Sequence, residues 1–267
     1  MKELTLQELK DIEFDILKMF DAFCKENNIK YYLSHGTLLG AIRYKKFIPW
    51  DDDVDLLIPR EDYNRMITLF KDTEKYHLFA FEKDPNYLYP IAKLCDMTTV
   101  KVEGNYDNGV KLGVDIDLFP LDFWDDDIEK AKKEVKYIRK NMFRLDLTKL
   151  RKSDSANPVK RFAKAILMVI YKRFGSAYFI KKVINASSRE DQKGSRYLGC
   201  KSWCVYGSKG IIPAEVFADT VDIEFEGEMF PAPVDWDKYL TCLYGDYLPE
   251  PPKEKQKTHH RFKAYRL

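Results

Sequence analysis

Residues 34–59 read SHGTLLGAIRYKKFIPWDDDVDLLIP, and the alternation near the end of this stretch decides what the rest of the chain must build. From Val54 to Ile58 every residue but Asp55 is apolar, and Pro59 stops the run, so the segment predicts a buried β-strand. Asp53 and Asp55 alternate with Val54 and Leu56. On a strand the two acids share one face, roughly 6.6–7 Å apart, while Val54 and Leu56 face the core. Like charges this close repel unless something positive stands between them. A divalent cation is the economical answer, and all-oxygen ligands select a hard ion, Mg²⁺ or Mn²⁺.

A second pair of acids lies downstream in LGVDIDLF, residues 112–119, read as a strand broken by Pro120. Asp115 and Asp117 share a face among apolar neighbours. Acids there oppose β-propensity and cost stability, so they should have a task. Phosphoryl transfer supplies one, because two or three carboxylates hold Mg²⁺ and Mg²⁺ holds phosphate. Asp53, Asp55 and Asp117 are the expected metal ligands, with Asp115 beside them.

Upstream, Gly36 lets the backbone approach a ligand closely, and Thr37 opens a short helix expected over Thr37–Tyr44, whose free N–H groups favour anions. Arg43, about two turns further on, offers a planar fork for phosphate. Lys93, a lone cation in the strand-like run Ile91–Leu94, is a second phosphate contact or an edge-strand charge that deters aggregation. Three other readings of the acids stand beside this one. Asp51, Asp53, Asp55 and Asp62 match ligand positions of an EF-hand loop, but Leu56 stands where that loop needs Gly. A solvated acidic turn is at odds with the interleaved Val, Leu and Ile. A D-x-D nucleotide-sugar glycosyltransferase would place a Rossmann-like strand order before the acids, whereas a helix and one strand precede them.

That helix is announced by a Thr5/Glu8 capping box followed by Leu6, Leu9, Ile12, Ile16, Phe20 and Phe23, with an end near Asn27-Asn28. A β-prone run, Ile29–Leu33, follows it. Beyond Pro59 come a helix over Glu61–Phe70, strands near Tyr76–Phe81 and Ile91–Val102, and a Gly104-Asn105 turn. Helices mixed with short strands around one sheet make an α+β fold.

From about Asp125 the chain turns helical and basic, with eight Lys or Arg and no acid between Ser155 and Arg189. Three parts are expected: a catalytic core over 1–124, this helical basic segment over 125–195, and a C-terminal part over 196–267 that completes the cleft. Residues 158–183, PVKRFAKAILMVIYKRFGSAYFIKKV, combine an apolar face with Lys and Arg. They read as a peripheral membrane helix meeting an anionic, lipid-linked acceptor, or more plainly as a core helix with solvated basic ends.

Of 267 residues 45% are hydrophobic and 33% charged, enough for a sizeable core and too apolar for a disordered chain. The 45 basic and 43 acidic residues nearly cancel, so overall charge gives no case for nucleic acid. Five cysteines, an odd and scattered set, suit reduced thiols in a cytosol better than a disulfide framework. The looser grouping of Cys200, Cys204, Cys242 and His259 reads as free thiols before zinc. The N-terminal MKELTLQELKDIEFDILKMF carries acids throughout, unlike a secretory signal. The longest strictly apolar run, Ala165–Tyr171, is far shorter than the ~20 residues that span a bilayer. A cytoplasmic place is expected, free or at the inner face of the membrane.

On HGTLLGAIRYKKFIPWDDDVDLLIP, then DIDLFPLD at 115–122, then YGDYLPEPP with a following His pair, the chain resembles the LicD family, which includes fukutin and fukutin-related protein. These blocks run from about residue 30 to 260. The family looks like a branch of the nucleotidyltransferase fold, sharing a Gly-Ser/Thr turn, an acid-x-acid strand and a third acid. The resemblance therefore implies a mixed sheet with flanking helices and transfer of a phospho-alcohol from a CDP-linked donor to a glycan hydroxyl. Bacterial members typically move phosphocholine from CDP-choline onto teichoic acid or lipopolysaccharide precursors. Gly36 and Thr37 match the phosphate-binding turn, Asp53 and Asp55 the metal pair, and Asp117 the acid before the aromatic-Pro step. Tyr44 departs from the His of many relatives.

The scheme expected on this footing has Mg²⁺ on Asp53, Asp55 and Asp117 bridging the donor diphosphate, while Asp117 or Asp115 takes the acceptor proton. Arg43 and Lys93 contact phosphate. A choline headgroup would want an aromatic cage, for which Trp50, Tyr87, Tyr89, Trp124 and Trp203 are candidates. His259, with His260 in the basic tail, closes over donor or acceptor, or belongs to an ordinary basic terminus. The second functional class is a non-catalytic nucleotide- or glycan-binding member of the same fold.

Overall fold

In the computed structural model, which describes residues 2–258 and 262–267, the first helix, α1, spans Leu6–Asn27. It starts where its capping box predicts. The Thr5 hydroxyl accepts from the Glu8 N–H, the Glu8 carboxylate accepts from the Thr5 N–H at 2.8 Å, and Asn28 ends the helix in the left-handed region. Leu9, Ile12, Ile16, Leu17 and Phe20 are buried on the stripe that packs across the main sheet.

That sheet has the spatial order β1 (Tyr32–Leu33), β2 (Asp55–Pro59), β6 (Val114–Phe123), β4 (Ala92–Asp96), β3 (Tyr76–Phe79). Only β2 and β6 run parallel; the other pairs are antiparallel. At the far end of β6, Asp122 and Phe123 pair with β7 (Tyr197–Gly199), which in turn pairs with β8 (Ile212–Pro213). Helices α2 (His35–Tyr44) and α3 (Arg60–Leu69) flank β2 in sequence. Two ribbons complete the strands: β5 (Thr99–Glu103) with β11 (Phe262–Arg266), and β9 (Thr220–Phe225) with β10 (Glu228–Pro233). Helices α4 (Ile128–Lys149), α5 (Pro158–Lys172) and α6 (Ser176–Ser187) form the helical basic segment, and α7 (Trp236–Tyr244) lies in the C-terminal part. The architecture is α+β, a mixed sheet with flanking helices, as the sequence predicts.

Several elements differ from their expected limits. The run Ile91–Val102 is two strands, because the Asp96 carboxylate accepts both the N–H and the hydroxyl of Thr98 and turns the chain. After that turn β5 leaves the main sheet for β11. Strand β6 passes through Pro120, which lies beyond the last β4 pair, Ala92 with Leu118, and before the first β7 pair, Gly199 with Asp122. On that side no neighbour needs the N–H that proline lacks. Strand β2 begins at Asp55, so Asp53 lies in the irregular lead-in and not on the strand itself. The run Ile29–Leu33 yields only two strand residues. All five cysteines are unpaired.

Within the basic segment α6 is a core helix, burying Phe179, Ile180 and Val183, but α5 is not. Helix α5 buries only Met168, and Val159, Phe162, Ile166, Val169 and Ile170 stand exposed.

Candidate active site

Register brings the acids together. In the parallel pair β2–β6, Asp55 is the direct partner of Asp117, and on the other side of β6 the partner of Asp117 is Lys93 of β4. Partnered residues share a sheet face, so Asp55, Asp117 and Lys93 form one row across three strands, with Asp115 two residues away on the same face. Beside this row opens a cleft of about 690 Å³ whose walls include Asp52, Asp53, Lys93, Lys101, Asp115, Asp117 and Lys149.

The Asp55 backbone is held from both ends by the N-cap and first turn of α2. Its N–H donates to Thr37 Oγ1 at 2.8 Å, and its carbonyl accepts from the Ser34 N–H and the Ser34 hydroxyl, each at 3.0 Å. Thr37 thus positions an acid. Gly36 faces the acids too: a Cβ there would lie 2.7 Å from Asp51 Oδ2. His35 opens α2 at φ 44°, a left-handed conformation, and its ring stacks on Tyr206 with centroids 5.4 Å apart.

The electrostatics are lopsided. Burial raises the Asp55 carboxyl well above the usual carboxylate range, and the negative charges of Asp53, Asp117 and Asp51 add to the effect. Asp115 is the opposite case. Burial opposes its charge, but Lys101 and Lys93 overcome that and bring it down to about 2. Lys93 Nζ donates to Asp115 Oδ2 at 2.6 Å and also to Asp117, while Lys101 donates to the other oxygen of Asp115. Burial likewise works against the Lys93 ammonium, and Asp115 and Asp117 hold it well above its ordinary value all the same.

The remaining predicted residues sit elsewhere. Arg43 donates to the carbonyls of Tyr247 and of Pro249, the latter at 2.7 Å, and it does not line the cleft. Trp50 is half-buried against the main core. Tyr89 and Trp203 line the cleft, whereas Tyr87 and Trp124 are fully buried. His259 lies outside the described residues. Its neighbour Thr258 donates to Asp52 Oδ1 at 2.6 Å.

Three charged residues of this region escaped sequence reasoning. Lys101 reaches Asp115 from β5. Lys149 ends α4, where burial lowers its ammonium to about 7, against the opposing pull of Glu103 and Asp146; its Nζ lies 3.1 Å from the Tyr89 ring centroid. Glu13 points in from α1. Burial pushes its carboxyl well up, with Asp53 adding to the effect, and Oε2 has no hydrogen-bond partner among the described residues. An acid on the apolar stripe between Leu9 and Ile16 was the available signal for Glu13.

The donor set suits a hard divalent ion. It is all oxygen, and the mutual repulsion felt at Asp55 is what a cation would relieve. As the side chains stand, no three His, Cys, Asp or Glu among the described residues are grouped as a ready metal site. Lys93 bridges Asp115 and Asp117 instead.

The profile of a family described as LicD/FKTN/FKRP, nucleotidyltransferase domain, matches residues 28–160, a span that holds Asp53, Asp55, Asp115 and Asp117. Over 279 residues, covering 100% of both chains, the sequence is 33% identical to the lipopolysaccharide cholinephosphotransferase LicD of Haemophilus influenzae. Two shorter likenesses accompany it. One is to an uncharacterised protein of Rickettsia typhi, 36% identical over 75 residues (27% of this chain, 24% of that one). The other is to mannosyltransferase regulator 4 of Saccharomyces cerevisiae, 30% identical over 95 residues (36% of this chain, 8% of that one).

Proposed function

The chain belongs to the LicD family, and from that premise we propose that it transfers phosphocholine, or a related phospho-alcohol, from a CDP-linked donor to a hydroxyl of a cell-surface glycan precursor, lipopolysaccharide or teichoic acid. One observation carries the reading beyond the likeness. Asp55 and Asp117, from two separated segments, meet in one register row, and Asp53, Asp115 and Asp117 line a cleft beside it large enough for a nucleotide-linked substrate.

Asp53, Asp55 and Asp117 would hold Mg²⁺ or Mn²⁺. When bound, such an ion neutralises charge on a diphosphate and favours departure of CMP. The protein's own side chains do the rest. Lys93 and Lys101 pin Asp115, which at about 2 remains ionised and is a weak proton acceptor, so its part is to fix the two ammonium groups at the cleft wall. Asp117, at the centre of the row, is left as the acid that takes the proton of the attacking hydroxyl. Thr37 and Ser34 hold Asp55 in place by its backbone. Trp203 lines the same cleft and is the ring left for a quaternary ammonium, since Lys149 Nζ already stands over Tyr89.

The test is CMP release. Purified protein with Mg²⁺, a lipopolysaccharide acceptor and CDP-choline, CDP-ribitol or CDP-glycerol in turn should release CMP with one of the donors. Asp53→Ala should remove that release. Silence with all three donors, equal to that of Asp53→Ala, would overturn the catalytic reading in favour of a nucleotide- or glycan-binding protein.

A further inference from the structure

Helix α5 has two unlike faces. Inward, Met168 shares a small core with Leu147 and Leu150 of the α4 end, against which Leu167, Tyr171 and the cleft-lining Tyr106 pack. Outward, Val159, Phe162, Ile166, Val169 and Ile170 recur at helical spacing and form one stripe. The stripe is bare: Val159 is 77%, Phe162 70% and Val169 67% exposed. Phe174 and Tyr178, stacked on each other with centroids 5.7 Å apart, extend it past Gly175 into α6. A lone exposed Leu means little, but seven large apolar side chains in one patch mark a surface that something covers.

Charge says what covers it. The flanks of the stripe carry Lys160, Arg161, Lys164, Lys172, Arg173, Lys181 and Lys182, and the segment Ser155–Arg189 contains no acid. An apolar strip edged by cations, of which Lys164 also pairs with Asp154 just ahead of the helix, is the pattern of a helix lying in the plane of an anionic bilayer surface, its apolar side chains among the acyl chains and its basic ones at the headgroups. An apolar protein partner would not require the cations, and an acidic one would not require the apolar strip. No helix among the described residues is long and apolar enough to cross a membrane, so α5 would lie on the surface.

We infer that α5 and the start of α6 dock the protein on an anionic lipid surface through Phe162, Ile166, Val169, Ile170 and Phe174. The docked stripe lies on the face of α5 opposite Met168, whose small core packs against the cleft-lining Tyr106. A lipid-carried acceptor would therefore reach the cleft from the membrane side. Docking itself does not depend on the proposed chemistry.

Vesicle flotation of the full chain tests this without reference to turnover. Vesicles of phosphatidylcholine with phosphatidylglycerol should retain at least tenfold more protein at low salt than phosphatidylcholine alone, and rising NaCl should release it. Phe162→Glu with Val169→Glu should lower retention at least tenfold. Both positions are solvent-exposed, so the circular dichroism and Tm of the variant should match those of the wild type. Lys160→Glu with Arg173→Glu should do the same through charge. Absence of flotation at low salt would overturn the inference, and so would retention that neither variant lowers. A wild-type dimer that Phe162→Glu/Val169→Glu turns into a monomer would show the stripe to be a contact between copies, and the lipid surface would fall.

Discussion

Asp55 and Asp117 stand directly opposite each other across the parallel pair β2–β6, two carboxylates facing the same way on neighbouring strands. Burial and the charges of Asp53, Asp117 and Asp51 make ionised Asp55 costly in the folded state. A protein keeps such a group for use and not for stability. Asp55→Asn should therefore raise the free energy of unfolding at pH 7 by about 1 kcal/mol while CMP release disappears. Urea denaturation beside the release assay checks both. A loss of stability would show that Asp55 is a structural acid.

The same repulsion gives the ion a stability signature. Mg²⁺ that binds the folded chain at a hundred times its Kd should stabilise the wild type by about 2.7 kcal/mol, read as a rise in Tm. With Asp55→Asn or Asp117→Asn the rise should shrink or vanish. Equal shifts in all three proteins would place the ion elsewhere.

Lys93 is the keystone of the acid row, bridging Asp115 and Asp117 from a buried position. Removing one partner of a buried ion pair strands the other, at a cost of about 3–5 kcal/mol. Lys93→Met should lose stability on that scale at pH 7, with recovery as pH falls and the freed carboxylates take up protons. Were Lys93→Met as stable as the wild type, the lysine would act only on substrate.

The parts of this site that were legible in the sequence are those fixed by local pattern. Asp55, Asp115 and Asp117 announce themselves as acids in apolar strands, Gly36 and Thr37 as the start of a helix that in fact begins two residues earlier, at His35, and Thr5 with Glu8 as a cap. What stayed hidden depends on pairing between distant segments. Lys101 and Lys149 look like ordinary lysines until β5 folds against β11 and α4 closes over Tyr89. Arg43 has the chemistry of a phosphate fork, but its partners are backbone carbonyls some two hundred residues away. Pro120 reads as a stop only when a strand is assumed to lie on the side where its N–H would point, and there β4 has ended and β7 has not begun.

Lys149 gives the stability curve a sign. Burial lowers its ammonium to about 7 in the folded chain, against an ordinary value of 10.5. Between those values the unfolded chain binds the extra proton, so stability rises with pH across that window, by at most about 1.4 kcal/mol per pH unit from this group. Below pH 7 both states are protonated and the contribution is lost. Lys149→Met should flatten the difference in unfolding free energy measured between pH 7.5 and 9.5. An unchanged slope would assign it to other groups.

Arg43 ties α2 to the segment Tyr247–Pro249, and Tyr44 Oη beside it donates to Glu250 at 2.6 Å. The C-terminal stretch thus hangs on the helix that follows the Gly36 turn, and further along Thr258 meets Asp52. Hydrogen bonds from a guanidinium are worth about 1.5–3 kcal/mol each when a partner is lost. Arg43→Ala should therefore expose residues 246–258 to limited proteolysis and lower Tm. If Arg43 acts as a tether, supplying the C-terminal stretch intact should matter more than the charge: Arg43→Lys, which keeps the charge without the fork, should remain protease-sensitive. Donor KM rising in Arg43→Ala with proteolysis and Tm unchanged would return the residue to the role of a phosphate contact.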